Sequence, residues 1–273
     1  MICSRRMIPN SSARRLCSQP SLIFERFSAV SMSSSSSPVQ PIVELREYDL
    51  SVKDVKNYLK LTTEAADLRL YLMPLRMFSL PETGGKLHVA THAYYYEGGY
   101  AERGKRRATM ENNLEWKKYV KNARPCMLSQ KSNIFVEAPL VGTVEGVCGL
   151  KGIAHFPTQG NDCILEIRRY QLKLGYDTVP KFLSLYGGGL TSKLAAPGTD
   201  PTTSLVTLLY TEVGSLNEVI EIWRHGDGTG AMERSRHAAR NAPEWRSAIA
   251  EIADLAVSFT STIHKPTTFS PLG

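Results

Sequence analysis

Two short stretches of the chain alternate apolar and polar side chains with a period of two. In the first, Val43, Leu45 and Glu47 oppose Glu44, Arg46 and Tyr48; in the second, Leu165 and Ile167 oppose Glu166, Arg168 and Tyr170. That period predicts half-buried β-strands. After each strand the apolar positions shift to helical spacing: Val52, Val55, Leu59 and Ala66 in one case, Val179, Phe182, Leu183 and Tyr186 in the other. Asp177 with Pro180 marks a start for the latter helix. A hairpin is expected next, Leu75–Leu80 and Leu87–Tyr96 about a Pro81–Gly85 turn, then Leu205–Val213 and Glu218–His225 about Gly214–Asn217. A further helix, interrupted by Pro243 in its second occurrence, and closing strands near Asn133–Glu137 and Val257–His264 complete each series.

The two series are copies of one unit. Glu44, Arg46 and Tyr48 recur as Glu166, Arg168 and Tyr170 at an offset of 122. The element R-x4-N-x2-E-W occurs as Arg107, Asn112, Glu115, Trp116 and again as Arg236, Asn241, Glu244, Trp245, at an offset of 129, which Gly85/Gly214 and Leu87/Leu216 share. The extra seven residues are expected in Gly187–Pro201, read as a glycine-rich loop, with Gly187–Gly189 a flexible corner rather than a phosphate cradle. The divisions are a presequence over 1–41, one repeat over 42–140, a glycine-rich join over 141–160 and a second repeat over 161–273.

The order βαββαβ is the ferredoxin-like unit, so the fold class is α+β: tandem repeats whose sheets meet face to face and close an intramolecular barrel with helices outside. Val43, Leu45, Leu165 and Ile167 are expected beneath the helices. The opposite face carries Glu44, Arg46, Tyr48, Glu166, Arg168 and Tyr170, joined by His92, Tyr94 and Tyr96 and by Glu221, Trp223 and His225. Charge on a face meeting a partner sheet is disfavoured unless it is paired or used. It therefore points either to a pocket between the sheets for a small polar or aromatic ligand or to internal Glu–Arg pairing. The R-x4-N-x2-E-W residues are read as structural, the tryptophans anchoring helix to sheet, with Glu115 and Glu244 exposed or paired to arginine.

Net charge is +7, but its location changes the picture. Residues 1–41 hold five arginines, no lysine, one acid and twelve serines, the composition of an organellar transit peptide. The remaining 28 basic and 25 acidic residues leave a balance of only +3, so the charge argument for nucleic acid weakens, and no aromatic RNA-reading pattern is present. A product starting at Met32 would lack the arginines and remain cytosolic. No run is long and apolar enough to span a membrane. Cys126, Cys148 and Cys163 lack zinc-ligand spacing and are expected as packing thiols. His88 and His92 do not form a metal motif, and no P-loop, G-x-S-x-G or dinucleotide fingerprint occurs. No catalytic set and no metal site emerge, and the expectation is a binding protein rather than an enzyme.

The strand VELREYDL (Val43–Leu50), the stretch EVIEIWRH (Glu218–His225), the helix ERSRHAARNAPEWR (Glu233–Arg246) and the ending IHKPTTFSPL (Ile263–Leu272) resemble the NIPSNAP family of the dimeric α/β-barrel superfamily. The first copy departs from it at Leu114, in place of the proline of P-E-W, and at His92–Tyr96. The resemblance implies a mitochondrial, matrix-located, non-enzymatic protein acting in mitochondrial quality control or vesicular transport, with autophagy-type receptors as partners. Homo-oligomers remain open. So does an alternative from the wider superfamily: a small-molecule binder or monooxygenase, or a haem-handling protein, using the inter-sheet pocket.

Overall fold

The structure, a computed structural model, describes residues 38–153 and 162–273. Of the targeting segment expected over 1–41, all but the last four residues lie outside that range. The first repeat comprises β1 (Ile42–Leu50), α1 (Val55–Glu64), α2 (Ala66–Leu72), β2 (Leu75–Thr83), β3 (Val89–Tyr96), α3 (Gly99–Asn112), α4 (Leu114–Ala123) and β4 (Met127–Glu137). The second comprises β5 (Ile164–Leu172), α5 (Thr178–Leu194), β6 (Thr203–Val213), β7 (Glu218–His225), α6 (Gly228–Ala239), α7 (Pro243–Leu255) and β8 (Ala256–Pro266). The helix carrying R-x4-N-x2-E-W is broken in both copies. Asn113 caps α4 by accepting from the Trp116 amide at 2.8 Å, and Pro243 starts α7 at a position that needs no amide donor.

The eight strands form one closed barrel in the order β1-β3-β2-β8-β5-β7-β6-β4. Within each half the first strand sits between the third and the fourth, β1 between β3 and β4, β5 between β7 and β8. The halves join through β2–β8 and β4–β6, so neither sheet keeps a free edge. The strands β3 and β7 are buried along their whole length, covered by helices on one face and by the barrel on the other.

The facing of the strands reverses the expectation from sequence. Val43, Leu45, Leu165 and Ile167 point into the barrel, where they pack with Ala93, Tyr95, Ile220 and Ile222 in a core drawn from both halves. Tyr48, Tyr94 and Tyr96 pack under α1–α4, and Tyr170 and Trp223 under α5–α7. The physical reason is the supply of partners. An eight-stranded barrel has an interior just wide enough to be filled by side chains, and mostly apolar groups fill it, with Arg169 bonded to Glu47 and Glu218. The helices carry the arginines that buried carboxylates require.

Two further corrections concern glycine. The run Gly187–Gly189 lies inside α5, not in a loop. A Cβ on Gly189 would come within 2.8 Å of Ala248 Cβ and 3.1 Å of Trp245 Cα, so glycine here lets α5 press against α7. The join is not loose where it is described: Leu150 and Ile153 enter the barrel core together with Leu272 from the C-terminus.

Candidate functional site: paired clefts between helices and sheet

In each half a carboxylate with no exposure to solvent, Glu44 or Glu166, ties the first strand to the helices. Glu44 accepts from Arg103 Nε and Nη2 at 3.1 and 2.9 Å, Ser132 Oγ at 2.7 Å, Tyr96 Oη at 3.1 Å and Arg107 Nη1 at 3.5 Å. Glu166 accepts from Arg168 Nε and Nη2 at 2.6 and 3.1 Å, from Ser261 Oγ at 2.6 Å, and from Arg236. Burial alone would raise both acids. Donation by Arg103 and Ser132, with the charge of Arg46, holds Glu44 below its ordinary range, and His225, Arg168 and Arg236 hold Glu166 far below it. The motif arginines Arg107 and Arg236 thus tie α3 and α6 to the first strand of their own half, which explains why E-x-R and R-x4-N-x2-E-W repeat together. The Glu–Arg pairing expected from sequence is present, beneath the helices rather than between the sheets.

Beside each hub a cavity opens between helices and sheet. The first-half cleft, about 710 Å³, is lined by Arg46, Tyr48, Arg69, Tyr94, Arg107 and Trp116, among others. The second-half cleft, about 650 Å³, is lined among others by Arg168, Lys193, Trp223, His225, Arg236 and Trp245. Both volumes suit a small organic ligand. In each, a buried cation lies over the motif tryptophan. The Arg69 guanidinium carbon is 5.0 Å from the Trp116 ring centre, and Lys193 Nζ is 4.3 Å from that of Trp245 and 3.7 Å from that of Trp223. Arg69 donates to Tyr94 Oη at 2.6 Å and to Tyr119 Oη at 2.7 Å. Strand register places Trp223 where the first half has Tyr94, opposite Glu166 and Glu44 respectively. Ala248 stands three residues after the motif tryptophan, where the first half has Tyr119. Both hydroxyls are therefore absent around Lys193, whose Nζ has no hydrogen-bond partner. Burial, with repulsion from Arg168, brings this amine down to about 7.

The ten residues proposed from sequence divide by half and by depth. Arg46, Tyr48 and Tyr94 line the first cleft, and Arg168, Trp223 and His225 the second. His92, Tyr96, Tyr170 and Glu221 are buried behind the clefts: His92 stacks on Phe78, Tyr96 donates to Glu44, and Tyr170 and Trp223 Nε1 donate to Glu221. Among the described residues the two sets line separate cavities. Sequence reasoning missed Arg69 and Lys193. Lys193 was hidden by the glycine run read as a loop, although a cation in the last turn of a helix is a recognisable signal. The second cleft does not fit haem. Its histidine, His225, has Nδ1 at 2.9 Å from Thr203 Oγ1 and Nε2 at 3.4 Å from Glu166, leaving no nitrogen for an axial bond.

Comparison with known proteins agrees with this architecture. A model of the NIPSNAP family matches the chain twice, over residues 43–140 and 165–271, close to the two repeats. Protein NipSnap homolog 3A of Homo sapiens, and that of Pongo abelii, are 25% identical over 230 residues, spanning 84% of this chain and 85% of theirs. Among solved structures, a protein of Fusobacterium nucleatum proposed to be a monooxygenase superposes with a TM-score of 0.58 at 10% identity, covering 84% of this chain and 93% of its own. A similarly described protein of Lactobacillus acidophilus superposes at 0.54 and 9% identity, covering 83% and 94%. These structures share the fold. With two matches that together span most of its length, the chain belongs to the NIPSNAP family.

Proposed function

We propose that the protein is a mitochondrial binding and adaptor protein whose helix–sheet clefts hold small ligands. The observation that carries this reading is the pair of cavities, about 650 and 710 Å³, each with a buried basic side chain, Lys193 or Arg69, seated on a motif tryptophan. Rings and buried basic groups recognise a ligand by stacking and charge; in the second cleft Thr203 Oγ1 also lies 2.9 Å from His225 Nδ1, whose other ring nitrogen is 3.4 Å from Glu166. The arginine- and serine-rich N-terminus supports import to the matrix. A role in quality control or vesicular transport, through autophagy-type receptors, rests on family membership. A second reading, oxidation of a bound organic molecule, draws on the names of the fold neighbours and would place its substrate against Trp223 and Arg168.

Two measurements test the proposal. Native mass spectrometry of protein purified from its own source should show a retained small molecule, and sequencing of the mature N-terminus from isolated mitochondria should show removal of the arginine-rich segment. Recovery of apoprotein alone, or of uncleaved chain only in the cytosol, overturns it. A visible absorption band that bleaches with a reductant favours the second reading.

A further inference from the structure

The two clefts are built at matching positions, but their charges do not balance alike. In the second half Arg168 lies between two carboxylates, bonding Glu166 in a fork and pairing with Glu221 at 3.7 Å. Strand register pairs Arg168 with Glu221 but pairs Arg46 with His92. The first half therefore lacks the second acid, and burial keeps His92 neutral by pushing it well below its ordinary value. Among the described residues, Glu44 is the one carboxylate buried beneath the first-half helices, and its oxygens are already taken by Arg103, Arg107, Ser132 and Tyr96.

Arg46 is left without an anion of its own. Its Nε is 3.9 Å from Glu44, beyond hydrogen-bond reach, and is buried with no acceptor, while the side chain as a whole is 15% exposed. Arg69, 2% exposed, donates to neutral tyrosyl hydroxyls and lies over the Phe78, Trp116 and Tyr119 rings, with no carboxylate beside it. Three guanidinium groups (Arg46, Arg103 and Arg107) thus share a single carboxylate, and a fourth, Arg69, has none. Unlike the amine of Lys193, a guanidinium does not escape its burial cost by releasing a proton. Three of the four, Arg46, Arg69 and Arg107, line the same cavity. Its rim adds Lys117, Lys121 and Arg124 against Glu111, while Tyr48, Trp116, Met73 and Met110 supply apolar wall.

We propose that the first-half cleft is an oxyanion site for a phosphate monoester carried on a short apolar body, with phosphoryl oxygens on the guanidinium of Arg46 and the charge balanced by Arg69 and Arg107. The class follows from three features. A surplus of three positive charges calls for more than one negative charge, and a monoester is close to dianionic at neutral pH. The two outer nitrogens of the Arg46 guanidinium, on a side chain 15% exposed, match two oxygens of a tetrahedral anion. The rings and thioethers accept the apolar part. The inference rests on the reading of the clefts as ligand sites and names the ligand of one of them.

Titration calorimetry of the full chain with octyl phosphate, octanoate and octanol at pH 7.5 tests it. Octyl phosphate should bind at least tenfold more tightly than octanoate and more tightly still than octanol. Arg46→Met should weaken octyl phosphate at least tenfold while leaving octanol unchanged, which also shows that the variant keeps its cleft. Equal affinity for octanoate and octyl phosphate overturns the dianion assignment. Unchanged phosphate affinity in Arg46→Met, or equal binding of octanol, overturns the site while the broader ligand reading stands. If none of the three probes binds, the site is overturned, and the ligand reading is then decided by the retained-molecule measurement.

Discussion

Replacing Glu166 by glutamine tests the central premise that a buried carboxylate pins helix to sheet. The side chain has no solvent exposure and receives Arg168 at 2.6 and 3.1 Å, Ser261 at 2.6 Å and Arg236. An amide removes the charge and points an N–H group at groups that also donate. Breaking a buried, hydrogen-bonded pair by removing one partner costs about 3–5 kcal/mol, a large part of the roughly 5–15 kcal/mol that holds a domain together. The pH dependence gives a second check. Glu166 is held far below its ordinary value of 4.5, so its contribution is complete above that pH and is lost as pH falls below it. The gap between wild type and Glu166→Gln should therefore narrow by about 1.6 kcal/mol between pH 4.5 and pH 3, the slope approaching 1.36 kcal/mol per unit only below the ordinary value. Urea denaturation followed by circular dichroism at pH 7, 4.5 and 3 measures both quantities. A loss under about 1 kcal/mol at pH 7, or a gap that does not change in acid, would refute the reasoning.

Two other outcomes follow from the same geometry. Lys193→Met removes an amine whose folded pKa, about 7, lies below its ordinary 10.5. Between those values the unfolded chain binds a proton that the folded chain does not, so wild-type stability should rise with pH across that window; the variant should lack this slope, and parallel slopes in urea titrations would count against it. Across the barrel, Arg169 Nη2 donates to Glu47 at 2.7 Å with both side chains about a fifth to a quarter exposed; a double-mutant cycle in thermal denaturation should give a coupling of about 0.5–1 kcal/mol, and additive single-variant losses would show that the contact does not link the halves.

Much of this architecture can be read from the chain because its period and its repetition are local signals. The alternation in Val43–Tyr48 and Leu165–Tyr170 states which residues share a face, and the two offsets state that the unit occurs twice. Neither signal states which face looks inward. That choice depends on where the counter-charges lie: Arg103, Arg107 and Arg236 are on helices, so the carboxylates turn towards them. The glycine run failed as a guide for a related reason. Glycine is a poor helix former in isolation, but close approach of α5 to Trp245 and Ala248 outweighs propensity at Gly189. Lys193, one turn further on, was misplaced with it.

Duplication within one chain also permits what a pair of identical chains does not. In a symmetric homodimer the same residue occupies both copies of a position. Glu47 and Arg169 stand at equivalent places in β1 and β5, one residue after Arg46 and Arg168, yet they carry opposite charges and meet across the barrel. Identical residues there would set like charges against each other. The same freedom separates the clefts: His92 against Glu221, Tyr94 against Trp223, Tyr119 against Ala248. The first exchange sets a second buried carboxylate beside Arg168, and the other two leave the amine of Lys193, brought down to about 7, without a hydroxyl partner. The first half is left with guanidinium groups that the protein itself does not balance. The asymmetry follows from fusing two sheets that close one barrel while their helix-side clefts stay separate, so each cleft can diverge without disturbing the shared aliphatic core.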